Sequence, residues 1–190
     1  MSLVGYLISL TGLSGEVVRF GLALASTFPL SFLFLRIPPT NLYHRHIFSI
    51  ISTGLLTCYL FRISAFIELL SLCIAVYLLA FSFKSSAYCP LMIFTASLAH
   101  MAYLHLENQL WRVTDLGYID YSSMMMVLLI KTSSFGFNIH DGTKEKEKLD
   151  DYQKLKAINQ FPSLIEFLGY CFFFNGVWVL SLSISTRLQY

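Results

Sequence analysis

From Ser85 to Leu106 the sequence contains no Asp, Glu, Lys or Arg, and no other feature constrains the fold as strongly as such charge-free runs. A helix crossing the hydrocarbon layer of a bilayer needs about 20 predominantly apolar residues. Runs with few or no charges recur at Phe20 to Leu35, His46 to Phe61, Ser64 to Phe83 with Glu68 near its start, Tyr118 to Asn138 with Asp120 and Lys131, and Pro162 to Ser183 with Glu166 in its first turn. Their spacing predicts an all-α, polytopic transmembrane protein of about six spans, with residues 1–190 forming one transmembrane region. Pro29 lies inside the first run, where membrane helices tolerate it as a kink. Ahead of it, Leu3 to Leu13 is too short to cross, but Leu3, Val4, Leu7 and Ile8 share one helical face, which predicts a helix lying flat in the interface.

Composition narrows the function classes. Charged residues make up 13% of the chain and hydrophobic ones 56%, against about 25% charged in ordinary soluble domains. Disorder, a disulfide scaffold and nucleic-acid binding through a basic surface are all excluded. Cys58, Cys73, Cys89 and Cys171 stand singly in apolar stretches without metal-ligand spacing, and read as core residues. The first basic residue is Arg19, so the positive leader of a cleaved signal peptide is missing and the first run reads as a signal anchor.

Ten of the 24 charged residues lie between Asp141 and Lys156. With six alternating spans, one side receives Arg36, Arg45, Lys84 and Lys144, Lys146, Lys148, Lys154 and Lys156, and the other receives Arg19, Arg62, Arg112 and Arg187. The positive-inside rule makes the richer side cytosolic and puts both termini in the lumen or exterior. The charged loop at about 140–161 then reads as a solvated cytosolic connector. Its alternative reading is a docking site for an anionic head group or a coenzyme A phosphate, against which its near-zero net charge argues.

Ionisable residues inside a span are costly and mark candidate sites. Ser163-Leu164-Ile165-Glu166 fits a capping box, which makes Glu166 structural. Asp120 and Lys131 are eleven residues apart, which places them within about 20° on one helix face and about 16 Å apart along it. Either Asp120 caps a helix and Lys131 snorkels to the interface, or this face, with Ser123, Met124 and Ser134, lines a polar chamber. His100 and His105 form an H-x4-H pair, but i and i+5 lie about 140° apart on a helix, and no second histidine box follows to build a metal site. An H-x4-D acyltransferase motif, a G-x-S-x-G elbow and phosphate-binding glycine loops are all missing. The residues alone supply no complete catalytic constellation.

Two segments nevertheless form a pattern. YIDYSSMMMVLLIKTSSFGFNIHDG, from Tyr118 to Gly142, and FPSLIEFLGYCFFFNG, from Phe161 to Gly176, resemble an early region of the membrane-bound O-acyltransferases, in the lysophospholipid acyltransferase branch. Asp120, Met126, Lys131, Ser134, Asp141 and Gly142 match the first motif; Pro162, Ser163, Leu164, Glu166 and the Phe172–Phe174 triplet match the second. The resemblance covers about residues 20–178 and implies the N-terminal part of that fold.

It also implies an endoplasmic-reticulum enzyme moving a fatty acyl chain from acyl-CoA, as co-substrate, to the hydroxyl of a lysophospholipid, with no other cofactor and no metal. Asp120, Lys131, Ser134 and Asp141 become substrate-chamber candidates. The family's catalytic histidine, and an asparagine before it, belong to a later segment and are carried over to no residue here. After the Phe triplet the chain runs Val177-Trp178-Val179-Leu180 to SLSISTRLQY rather than into the family's Gly-Pro continuation, so the expectation is a truncated, inactive polypeptide. The competing class is a non-catalytic multi-span protein, a transporter or an interaction subunit. Transporters often show internal repeats, and none is visible between residues 20–105 and 118–183.

Overall fold

The apolar runs fold as helices, since a segment in hydrocarbon has only its own backbone to hydrogen-bond. The computed structural model describes residues 3–12, 15–107, 109–110, 121–145, 147 and 149–173. Among these it forms α1 (Leu3–Thr11), α2 (Gly15–Arg36), α3 (Leu42–Leu60), α4 (Ile63–Phe83), α5 (Cys89–Glu107), α6 (Ser122–Gly142), α7 (Asp151–Lys156) and α8 (Leu164–Cys171), and no strand.

Among the described residues three helices are long and apolar enough to cross a membrane: the Val18–Arg36 part of α2, α4 and α5. α3 and α6 are of similar length, but α3 carries His44, Arg45 and His46, and α6 carries Lys131, His140 and Asp141. The last expected run starts as the eight residues of α8, and its continuation to Ser183 lies outside the described residues. The expected count of about six spans is therefore not established. Pro29 sits inside α2 as expected. Around it the hydroxyls of Ser26, Thr27 and Ser31 donate to the carbonyls of Ala23, Leu24 and Thr27, so these polar side chains are satisfied within the helix itself.

α5 packs antiparallel to α4 and to α6, so α4 and α6 run parallel. At one end the Tyr121 hydroxyl, just before α6, donates to the Glu68 carboxylate near the start of α4, and its ring meets Phe61 at 5.9 Å. Midway, Ser97 Oγ and Thr132 Oγ1 are 3.1 Å apart. Near the other end Gly136 lets α5 approach so closely that a Cβ there would lie 3.3 Å from the Pro90 Cα. α8 packs against α3, α4 and α6.

The side-chain distribution is that of a protein in lipid. Large apolar residues face outward, among them Phe28, Leu35, Leu78 and Phe81. Small hydroxyl residues face inward: Ser49, Ser52, Thr53 and Thr57 of α3, Ser97 of α5 and Thr132 of α6 are all buried. In lipid, burying apolar surface gains little over leaving it in the tails, so helices associate through close van der Waals approach and interhelical hydrogen bonds, which small residues permit.

The charged loop is pinned at both ends rather than free. Gly142 lies under the Ile158 carbonyl, which a Cβ would strike, and Ile158 N donates to Asn138 O at 2.9 Å. Leu149 is buried, and Asp150 and Gln153 form a capping box that starts α7.

Gly169 supplies the tightest α3–α8 contact, since a methyl there would overlap the His46 ring. Gly169→Ala should destabilise the protein by about 1–3 kcal/mol through overpacking. Gly21→Ala, whose methyl meets nothing, should be neutral or stabilising by about 0.5–1 kcal/mol through helix propensity. Thermal unfolding in detergent compares the two, and equal shifts would refute this packing assignment.

Candidate functional site

α8 stops inside the helical bundle, and the end of a helix leaves carbonyls without backbone donors. Their partners come from two other helices. Lys131, midway along α6, points its ammonium at the end of α8, where Nζ donates to Tyr170 O and Cys171 O at 3.0 Å each. Thr53 of α3 donates its hydroxyl to the next carbonyl, Phe172 O, and Thr57 donates to Thr53 O at 2.7 Å. Three successive carbonyls thus receive a cation and a hydroxyl, an arrangement favoured at a helix C-terminus. The Tyr170 ring also lies 5.5 Å from the ammonium, within cation–π range. Cys73, Cys171 and Phe172 close around this point, all essentially inaccessible.

The other end of α8 is fixed as its sequence predicts. Glu166 Oε2 accepts from Ser163 N at 2.7 Å and from Ser163 Oγ at 2.9 Å, while Glu166 N donates back to Ser163 Oγ at 3.4 Å. Tyr77 of α4 donates its hydroxyl to Pro162 O at 3.0 Å. Between the two ends the rings of Phe135 and Phe167 meet with centroids 4.4 Å apart and planes tilted by 41°, and Tyr77, Phe81 and Phe135 surround Phe161.

Of the four residues predicted for a substrate chamber, the three that lie among the described residues are spread along α6. Lys131 is turned toward the end of α8, where its ammonium bonds the Tyr170 and Cys171 carbonyls. Ser134 is half-buried on α6. Asp141 is buried at the far end of α6, ion-paired with Lys144 at 2.9 Å; it lies about 15 Å from Lys131 by helix rise. Asp120 lies outside the described residues, so the predicted Asp120/Lys131 face is seen only from its lysine end. The residues that complete the arrangement, Thr53, Tyr170 and the carbonyls of Cys171 and Phe172, gave no chemical signal in the sequence. The buried hydroxyls of α3 were the available hint.

The two sequence motifs therefore form one unit: the helix of the first supplies the cation that ends the helix of the second. No family model matches the chain. Individual relatives do. The chain is 33% identical over 167 residues to lysophospholipid acyltransferase 2 of Arabidopsis thaliana, an alignment covering 84% of this chain and 34% of that protein. It is 30% identical over 172 residues to the lysophospholipid acyltransferase of Saccharomyces cerevisiae, covering 86% and 27%. With the Schizosaccharomyces pombe lysophospholipid acyltransferase it shares 28% identity over 178 residues, covering 92% and 33%.

The chain is homologous to lysophospholipid acyltransferases of the membrane-bound O-acyltransferase family. It spans about a third or less of the length of these relatives. Together with the apolar helices, the homology makes it an integral membrane protein.

Removing either donor to the end of α8 should be costly, because the carbonyls it serves have no water to turn to. Lys131→Met and Thr53→Val are each expected to destabilise the protein by about 1–2 kcal/mol. Because the two donors hold consecutive carbonyls, the double variant should lose less than the sum. A thermal-unfolding cycle measures this, and strict additivity would show that the donors act on separate structures.

Proposed function

We infer that this chain is part of an enzyme that transfers a fatty acyl group from acyl-CoA to the free hydroxyl of a lysophospholipid, in the remodelling of membrane phospholipids. The observation that carries the reading is homology over 84% of the chain to a lysophospholipid acyltransferase, reinforced by the packing of the two matching motifs against each other. In this reaction the hydroxyl oxygen attacks the thioester carbonyl, the carbon–sulfur bond breaks, and the hydroxyl proton passes through a base to the departing CoA thiolate. Both substrates are amphiphiles, so the chemistry suits a chamber within the membrane with inward-facing polar groups.

In this reading Asp120, Lys131, Ser134 and Asp141 border the chamber. Lys131 acts as a positioning residue, holding the end of α8 and the chain that follows it. The protein resides in the endoplasmic reticulum, with the loop between α6 and α8 in the cytosol and both termini lumenal. The excess of lysine and arginine on the loop's side supports that orientation.

The test is expression of the protein containing this chain in cells stripped of endogenous lysophospholipid acyltransferases. Microsomes supplied with acyl-CoA and a lysophospholipid should release CoA and form the diacyl product. Membrane-inserted protein that shows no lysophospholipid-dependent CoA release would overturn the reading and favour a non-catalytic membrane protein. In the active protein, Lys131→Ala should lower the turnover number by about tenfold or more, as expected when a positioning contact is lost. Insertion should remain intact, and unchanged turnover would confine Lys131 to stability.

Orientation is checked separately. A cysteine replacing Tyr152, which is exposed on α7, should react with an impermeant maleimide only when the cytosolic face of sealed microsomes is accessible. Labelling restricted to the lumenal face would reverse the topology.

A further inference from the structure

An open cleft of about 430 Å³ lies on the side of the bundle, where the start of α5 meets the end of α6 beneath α7. Its lining is graded along the helix axes. Phe94, Leu91 and Phe137, which are 37%, 58% and 53% exposed, occupy the part toward the middle of the two antiparallel helices. Asp141, Lys144 and Gln153 occupy the part at the helix ends. Apolar rings below charged groups, open to the side, match an amphiphile standing in the leaflet rather than a soluble ligand.

The polar end has a definite charge pattern. Lys144 Nζ donates to Asp141 Oδ1 at 2.9 Å, with the lysine side chain 40% exposed and the aspartate 10%. An ammonium has three donors and this bond uses one. Gln153 accepts Asp150 N on its Oε1 at 3.1 Å, which leaves its amide N–H groups as further donors. A phosphodiester fits those donors, and a neighbouring ammonium fits the carboxylate. A phosphate monoester would bring additional negative charge against Asp141, and a lipid without phosphate would leave the donors of Lys144 unused.

We propose that this cleft binds one glycerophospholipid of the surrounding leaflet carrying an ethanolamine head group. Its phosphate is held by Lys144 and Gln153, its ammonium by Asp141, and one acyl chain lies over Leu91, Phe94 and Phe137. Ethanolamine is favoured over choline because its ammonium has N–H groups to donate to Asp141. The proposal rests on the chain being in a membrane and not on acyl transfer.

The test uses the 190-residue chain in phosphatidylcholine nanodiscs doped with one diazirine-bearing lipid: phosphatidylethanolamine, phosphatidic acid or diacylglycerol. Light-induced adducts are mapped by mass spectrometry, with the lipid-facing surface around Leu78 of α4 as the reference for insertion. Phosphatidylethanolamine should label residues 87–94 and 137–144 more strongly than the other two. Lys144→Gln should cut that labelling by about tenfold, the loss of one charge-assisted hydrogen bond, while labelling at the Leu78 surface is unchanged. Leu91→Trp, which fills the apolar part without touching the charges, should also reduce it, and Asp141→Asn should let phosphatidic acid label as strongly as phosphatidylethanolamine. Equal labelling by all three lipids, strongest labelling by phosphatidic acid, or full labelling of Lys144→Gln would each overturn the proposal.

Discussion

A helix that ends in a water-free interior exposes carbonyls that no solvent can satisfy, and the arrangement of this protein follows from how that problem is met at the end of α8. The partners must come from side chains on other helices. Lys131 of α6 and Thr53 of α3 provide them, which fixes the depth of α8 and the separation of α3 from α6 at once. The cost of burying a lysine ammonium is offset because it donates to two carbonyl oxygens. The neighbouring contacts are consistent with this anchor. Phe135 is one turn along α6 from Lys131 and meets Phe167, which is one turn along α8 from Tyr170 and Cys171.

The second determinant is close approach. Gly136 faces Pro90 and Ile93, Gly169 faces His46, and Gly54 faces the Phe66 ring. Each brings two backbones nearer than a larger residue would allow, in an environment where apolar burial alone does not draw helices together. The buried serines and threonines follow the same logic. Ser97 and Thr132 bond across α5 and α6, while Thr57 returns its hydroxyl to its own helix, so these groups are small enough to pack and remain satisfied.

Much of this was legible in the sequence because it is local. Apolar runs with at most one charge gave α2, α4 and α5, and α8 begins at the predicted capping box of Ser163 and Glu166. Hydropathy could not decide the status of α3 and α6, whose polar residues serve interhelical contacts that an average along the chain does not register. The partners of Lys131 lie 39 and 40 residues away, and they are backbone carbonyls, which every residue carries and no side-chain pattern reveals. The Asp-Gly pair at 141 and 142 was visible as a motif, but its physical reason, the Ile158 carbonyl lying over Gly142, depends on how a charged loop folds back.

That fold-back explains why two motifs separated by a highly charged segment act as one structure. The loop is fixed where Gly142 meets Ile158 and again where Tyr77 holds Pro162, so its charged middle can differ in composition without moving α8 relative to α6. Depth then follows from helix geometry. Asp141 and Lys144 lie at the end of α6, and Lys131 lies ten residues inward from Asp141, about 15 Å by helix rise and about half the thickness of the hydrocarbon layer. The polar turn at the end of α8 thus lies about three helical turns along α6 from the charged rim formed by Asp141 and Lys144. An amphiphile held by its head group at that rim has its chain, not its phosphate, at the level of Lys131. Ser97 of α5 bonds Thr132, the residue next to Lys131, and Thr53 of α3 bonds the carbonyl that follows those held by Lys131, so these buried hydroxyls extend the polar turn at the depth of Lys131 rather than the rim.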